Sequence, residues 1–168
     1  MIVAVDPGPV MSAFVVWNGK DVVDKGLVPN KKLLELLHDM PRTVPGIHDG
    51  RVDCMAIEMI ASYGMAVGAS VFNTCVWIGR FIERWDDSHC IVYRKHVKMH
   101  LCNSMRAKDT NIKQSLIDRF APDATNHGKG TKANPSIFYG FKKDIWAAMA
   151  VAVTAWDNPN MELLDANT

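Results

Sequence analysis

The chain predicts an α/β fold, a mixed five-stranded sheet flanked by helices, in a single domain over residues 1–168. Three observations carry this expectation. Ile2-Val3-Ala4-Val5 is a short unbroken apolar run, the pattern of a strand buried on both faces, and Val52 to Ile57 is another apolar strand. Each runs directly into a carboxylate, Asp6 or Glu58. Apolar residues between and after them recur at helical spacing, so helical crossovers join parallel strands.

The elements follow in order. Asp6-Pro7-Gly8 turns the chain, and Ser12 to Trp17 runs back as a second strand. Asn18-Gly19 is a strong hairpin signal, so Lys20 to Val28 is a third strand, antiparallel to the second. Asn30 can cap a helix through Met40, with Leu33, Leu34, Leu36 and Leu37 as its apolar stripe. Pro41 to Gly50 reads as a loop. After Glu58, a small, Gly-containing stretch leads to a long core helix, Ala69 to Trp85, with Val71, Cys75, Ile78, Ile82 and Trp85 at helical spacing. Cys90 to Tyr93 is the fifth strand and Val97 to Leu101 a short helix. Asp109 or Thr110 caps a helix to Phe120. Residues 121–140, with three Gly and two Pro, read as a loop or lid. Lys143 to Trp156 is a last helix rich in Ala and Val, suited to lying close on a sheet.

Hydrophobic residues make up 48% of the 168 and charged residues 22%, which fits a globular domain rather than a disordered chain. No run approaches the ~20 apolar residues of a membrane span. The N-terminus lacks a basic region and its apolar run stops at Asp6, so no signal peptide is expected. Cys54, Cys75, Cys90 and Cys102 are widely spaced among apolar neighbours, as buried thiols of a reducing compartment are. The expected setting is cytoplasmic.

Net charge is +1, but its distribution is uneven. Arg94, Lys95, Lys98, Arg106, Lys108 and Lys113 face a single acid, Asp109, between positions 94 and 113. Lys129, Lys132, Lys142 and Lys143 follow with no acid between 128 and 143. A basic middle on a nearly neutral chain fits a surface turned toward phosphates; the same run also fits a plain solvated face.

Acids stand at three element ends: Asp6, Glu58 and Asp144. Asp6 also suits a turn cap, and Asp144 suits the positive end of its helix. Adjacent parallel strands lie ~4.8 Å apart, so acids at matching ends can share one cation. Clustered carboxylates need such a counter-charge, and Mg2+ or Mn2+, which take oxygen ligands, supply it.

The order of strands and helices resembles the ribonuclease H-like fold. Within it, AVDPG (Ala4 to Gly8), AIE (Ala56 to Glu58), RKHVK (Arg94 to Lys98), AKDTNIKQSLIDRF (Ala107 to Phe120) and DIWAAMAVAVT (Asp144 to Thr154) resemble RuvC-type Holliday-junction resolvases, in the shorter branch found in phages and prophages. The resemblance implies a homodimeric, Mg2+- or Mn2+-dependent endodeoxyribonuclease that nicks four-way DNA junctions in paired fashion by two-metal-ion phosphodiester hydrolysis, in the host cytoplasm if phage-encoded. It places the metal-binding acids on Asp6, Glu58 and Asp144, and basic residues near the scissile phosphate on Lys98 and Lys108. Tyr63 falls where the family contacts unpaired bases, and equally suits a core or rim tyrosine. Arg94, Lys95, Arg106, Lys113 and Lys143 are the further DNA-binding candidates.

One feature departs from the pattern. The family carries two metal-binding side chains three residues apart at the start of the last helix, whereas Asp144 is followed at that spacing by Ala147. Asp109 could substitute if the basic loop folds inward, but it reads better as a helix cap. Asp157 lies ~20 Å along the helix from Asp144 and is excluded. The missing acid supports an alternative, a branched-DNA-binding protein with a degraded, non-cleaving site. A third reading comes from Asp-Pro-Gly followed by Ser12, which also resembles the first phosphate loop of actin-like kinases; those need two such domains, more than 168 residues supply.

Overall fold

The structure, a computed structural model, describes residues 1–41, 52–62, 64 and 66–159. Five strands form one sheet: β1 (Ile2–Asp6), β2 (Met11–Trp17), β3 (Val22–Pro29), β4 (Cys54–Met59) and β5 (His89–Tyr93), in spatial order β3-β2-β1-β4-β5. β1 pairs antiparallel with β2 and β2 with β3, while β1, β4 and β5 run parallel. This is the predicted mixed sheet. Its helices are α1 (Asn30–Asp39), α2 (Ala69–Trp85), α3 (Arg94–Cys102), α4 (Asp109–Phe120), the single turn α5 (Thr125–Gly128) and α6 (Lys143–Asp157). The expected loop 41–50 lies almost wholly outside the described residues.

Strand periodicity divides the core in two. Val3, Val5, Met55 and Ile57 point to one face, where α1 and α2 cover them. Ile2, Ala4, Ala56 and Val92 point to the other, where α6 packs with α3 and α4 around it. Residues 148–152 of α6 are completely buried, and the alanines at 148 and 152 let the helix approach β1 and β2 closely.

The α2 stripe differs from expectation. Thr74, Ile78, Phe81 and Trp85 face the sheet, whereas Cys75 and Val76 face outward and Phe72 is 60% exposed. The sequence has apolar residues nearly all round this helix, so periodicity alone leaves its rotation open. Cys75 is accordingly exposed rather than buried, and the other three cysteines are partly buried.

The hairpin turn is as expected. Gly19 adopts φ +93°, and the Asn18 side-chain oxygen accepts from the backbone N–H groups of Lys20 and Asp21. A Cβ on Gly19 would stand 2.5 Å from the Trp156 ring, so glycine is required by contact as well as by conformation. Residues 121–142 are not a free lid. Phe138 and Phe141 are fully buried and pack on Trp146, with ring centroids 4.6 and 5.0 Å away, which pins this segment to the start of α6.

Candidate metal centre and basic groove

Period-two alternation builds the site. Val5 pairs with Ile57, so Asp6 and Glu58 come next on neighbouring strands and continue the faces of Ala4 and Ala56. Both therefore emerge on the α6 side of the sheet, at its C-terminal edge. Asp144 lies in the first turn of α6, which starts at that edge. Glu58 pairs with Val92 on β5, and Arg94, two residues further, follows on the same side at the start of α3. A cleft of about 440 Å³ results, lined by Asp6, Pro7, Glu58, Arg94, Asp109, Lys143, Asp144 and Ala147, among others.

The turn that presents Asp6 is held by a buried polar network. The Ser12 hydroxyl accepts from the Gly8 N–H at 3.1 Å and donates to the Asn30 side-chain oxygen at 2.7 Å. The Asn30 amide donates back to the Gly8 carbonyl at 2.9 Å. Asn30 is thus not the expected helix cap. Pro29 holds the cap position, and Asn30, 2% exposed, closes a loop of bonds around Gly8. Without partners these groups would be costly to bury, so the network fixes the turn.

Electrostatics mark the acids as a unit. Asp6 is raised to about 8, first by burial, then by the charge and hydrogen bond of Glu58 and by Asp144, with Arg94 opposing. The protonated Asp6 carboxyl donates to Glu58. Burial also raises Glu58, while Arg94 and the Asp6 hydrogen bond pull it down. Arg94 places one nitrogen 3.7 Å from Glu58 and pairs through the other with Asp109. Asp109 is therefore not the cap of α4. That position belongs to Lys108, and the Asp109 side chain turns to the cleft and Arg94. Sequence reasoning set it aside because only the fold reveals that α4 starts beside α3.

A second cleft, about 330 Å³, opens from the first and shares Arg94, Asp109, Lys143 and Ala147 with it. Lys113, Lys129, Lys142 and Trp146 line the rest, and the Lys113 ammonium lies 5.1 Å from the Trp146 ring centre. Lys129 and Lys142 were legible only as part of an acid-free run. Lys25 of β3 approaches the same region, 5.5 Å over the Phe141 ring, and no sequence signal pointed to it.

The other candidates stand as follows. Lys98 directs its ammonium to the Met105 carbonyl at 3.5 Å, and Lys108 is exposed; neither lines the cleft. Lys95 lies over the Tyr93 ring and Arg106 is exposed. Tyr63 is outside the described residues. Asp157 sits at the far end of α6, bound by His100 at 2.7 Å and Arg119 at 2.5 Å.

The donors in the cleft are carboxylate oxygens, which fit a hard divalent cation, and the proton-retaining Asp6 beside Glu58 marks a pair short of positive charge. The four acids surround the cleft without closing on one point. Among the described residues no three metal-ligating side chains stand close enough to hold an ion as they are.

The strand order, crossovers and helix placement are those of the ribonuclease H-like fold in its RuvC form. Two structures of RuvC from Thermus thermophilus, one in complex with a Holliday junction substrate, superpose with a TM-score of 0.60 each, at 13% and 15% sequence identity, over 95% of this chain and 95% of theirs. At that identity the likeness is one of fold. No protein-family model and no curated protein sequence matches the chain. No helix among the described residues is long and apolar enough to cross a membrane.

Proposed function

We propose that the chain is a metal-dependent endodeoxyribonuclease that acts on branched DNA, with the four-way junction as its substrate. The observation that carries this reading is the pairing of Asp6 and Glu58 at adjacent parallel strand ends, with Asp144 across the same cleft and a lysine groove opening from it. The fold likeness to a protein solved with a Holliday junction supports the substrate class.

Asp6, Glu58 and Asp144 would hold Mg2+ or Mn2+. A bound divalent ion supplies the charge that lowers the barrier to water attack on a phosphodiester and favours departure of the 3′ oxygen. The chain's own residues do the rest. The Ser12–Asn30 network fixes Asp6 and limits reorganisation. Asp6 would give up, on binding a divalent ion, the proton that burial and Glu58 favour on it, so metal binding strengthens as pH rises. Lys143, and Lys113, Lys129 and Lys142 beyond it, offer positive charge to backbone phosphates on either side of the cut. Lys98 on α3 and Lys108 just before α4 lie outside the cleft lining and would meet the DNA strand beyond it.

Paired cutting needs two such sites related by two-fold symmetry, and a homodimer provides them. The outward face of α2, where Phe72 and Val76 are 60% and 61% exposed one turn apart, is the surface for it.

The test is a synthetic four-way junction incubated with the protein in Mg2+ and, separately, in Ca2+. Symmetric nicks in Mg2+, with binding alone in Ca2+, are expected. Binding in both and cutting in neither would favour the second reading, a non-cleaving branched-DNA binder. Ala147, which leaves α6 with one acid in the cleft, is the observation behind that alternative.

A further inference from the structure

We infer that Arg94 is a built-in second cation of the cleft, so that this chain takes one divalent ion rather than two. The inference rests on the metal-binding reading above and concerns how many ions the site accepts. Asp6, Glu58, Asp109 and Asp144 carry four negative charges when ionised, and Arg94 and Lys143 return two positive ones. The remainder equals the charge of one divalent ion. A second ion would make the empty cleft positive by two, with one fewer carboxylate on α6 to receive it, since Ala147 stands there.

The position of Arg94 matches this arithmetic. Its guanidinium spans two cleft-lining carboxylates, Glu58 at 3.7 Å through one nitrogen and Asp109 in direct contact through the other. A planar fork with fixed donors suits that bridge and carries its charge at any working pH. Asp6 and Glu58 follow one another across the β1–β4 pair and line the cleft together, so that side is left for the divalent ion, while the guanidinium holds the Glu58–Asp109 side. Asp109 is thereby a positioning residue: it anchors Arg94 instead of replacing the absent acid of α6. The arrangement requires no oxidant, proton relay or additional group.

The experiment counts Mn2+ bound per chain by equilibrium dialysis with electron paramagnetic resonance, on the full chain without DNA. One ion is expected for the wild type and one for Arg94→Lys, which keeps the charge. Two are expected for Arg94→Ala, which frees Glu58 and Asp109 to bind. Two ions or none in the wild type, or a single ion in Arg94→Ala, would overturn the assignment. If Arg94→Ala fails to fold by circular dichroism, Arg94→Gln, of similar size, takes its place with the same expectation of two. The count is separable from the nuclease reading. A wild type that binds one ion and leaves junctions intact sinks the nuclease and keeps Arg94 in its role. A wild type that cuts junctions with two ions bound does the reverse.

Discussion

Asp6 carries the site's largest electrostatic burden, and its proton gives a direct handle on it. Its folded value, about 8, stands far above the ~4 of an unfolded chain. Between those values the folded state holds a proton that the unfolded state has lost, so this group's contribution to stability declines as pH rises from about 4 to about 8. The Tm of metal-free wild type should therefore fall against that of Asp6→Asn across the window, with the variant the more stable at pH 8; parallel curves would mean that Asp6 ionises normally. In DNA assays Asp6→Asn and Glu58→Gln should lose cleavage while junction binding stays equal or tightens, because repulsion toward phosphate falls. Normal cutting by either would displace the site. Asn30→Ala should cost about 1–3 kcal/mol in urea unfolding, since it strands Ser12 and the Gly8 carbonyl in a buried setting. That Asp6, Glu58 and Asp144 line one cleft could be anticipated because each stands at the start or end of an element whose pattern is plain. Asn30 and Asp109 were not legible in this way, because their partners, Ser12 with Gly8 and Arg94, come from other elements and a local cap explained each adequately.

At the scale of elements, the meander β1-β2-β3 and the parallel strands β4 and β5 could be read from apolar runs and a single turn signal. Rotation about a helix axis was harder. α2 has so many apolar residues that Val71 and Cys75 looked inward, whereas it is Thr74 that is buried, its hydroxyl donating to the Ser70 carbonyl at 2.9 Å. A polar residue whose hydrogen bond is met within its own helix can face a core, and one-letter periodicity cannot register that. The β2–β3 turn gives the sharpest element-level prediction. Gly19→Ala should destabilise by about 1–2 kcal/mol from its left-handed backbone alone. The clash with Trp156 adds to this, so the loss of Tm should shrink when Trp156→Ala is combined with it; additive losses would show that the ring does not matter.

For the whole molecule, a nearly neutral chain that gathers Lys113, Lys129, Lys142 and Lys143 beside one cleft should bind DNA with a steep dependence on salt. Each charge removed from that groove should flatten the slope of log affinity against log salt by about one phosphate's worth, as fluorescence anisotropy with Lys113→Ala would measure; an unchanged slope would take the groove out of the DNA path. The proposed dimer makes its own prediction: Val76→Glu should give a monomer by light scattering with an unaltered circular dichroism spectrum. The same molecule contains a height adjustment that had no part in reading its chemistry. Ala148 and Ala152, one turn apart on the face of α6 that Ala155 turns to the strands, set the clearance beneath the last helix, and Asp144 is carried on that same face. Any bulkier residue there acts as a shim: Ala148→Leu would jack the helix upward and draw its acid further from the other two. Activity would then drop through a substitution that touches neither nucleic acid nor cation.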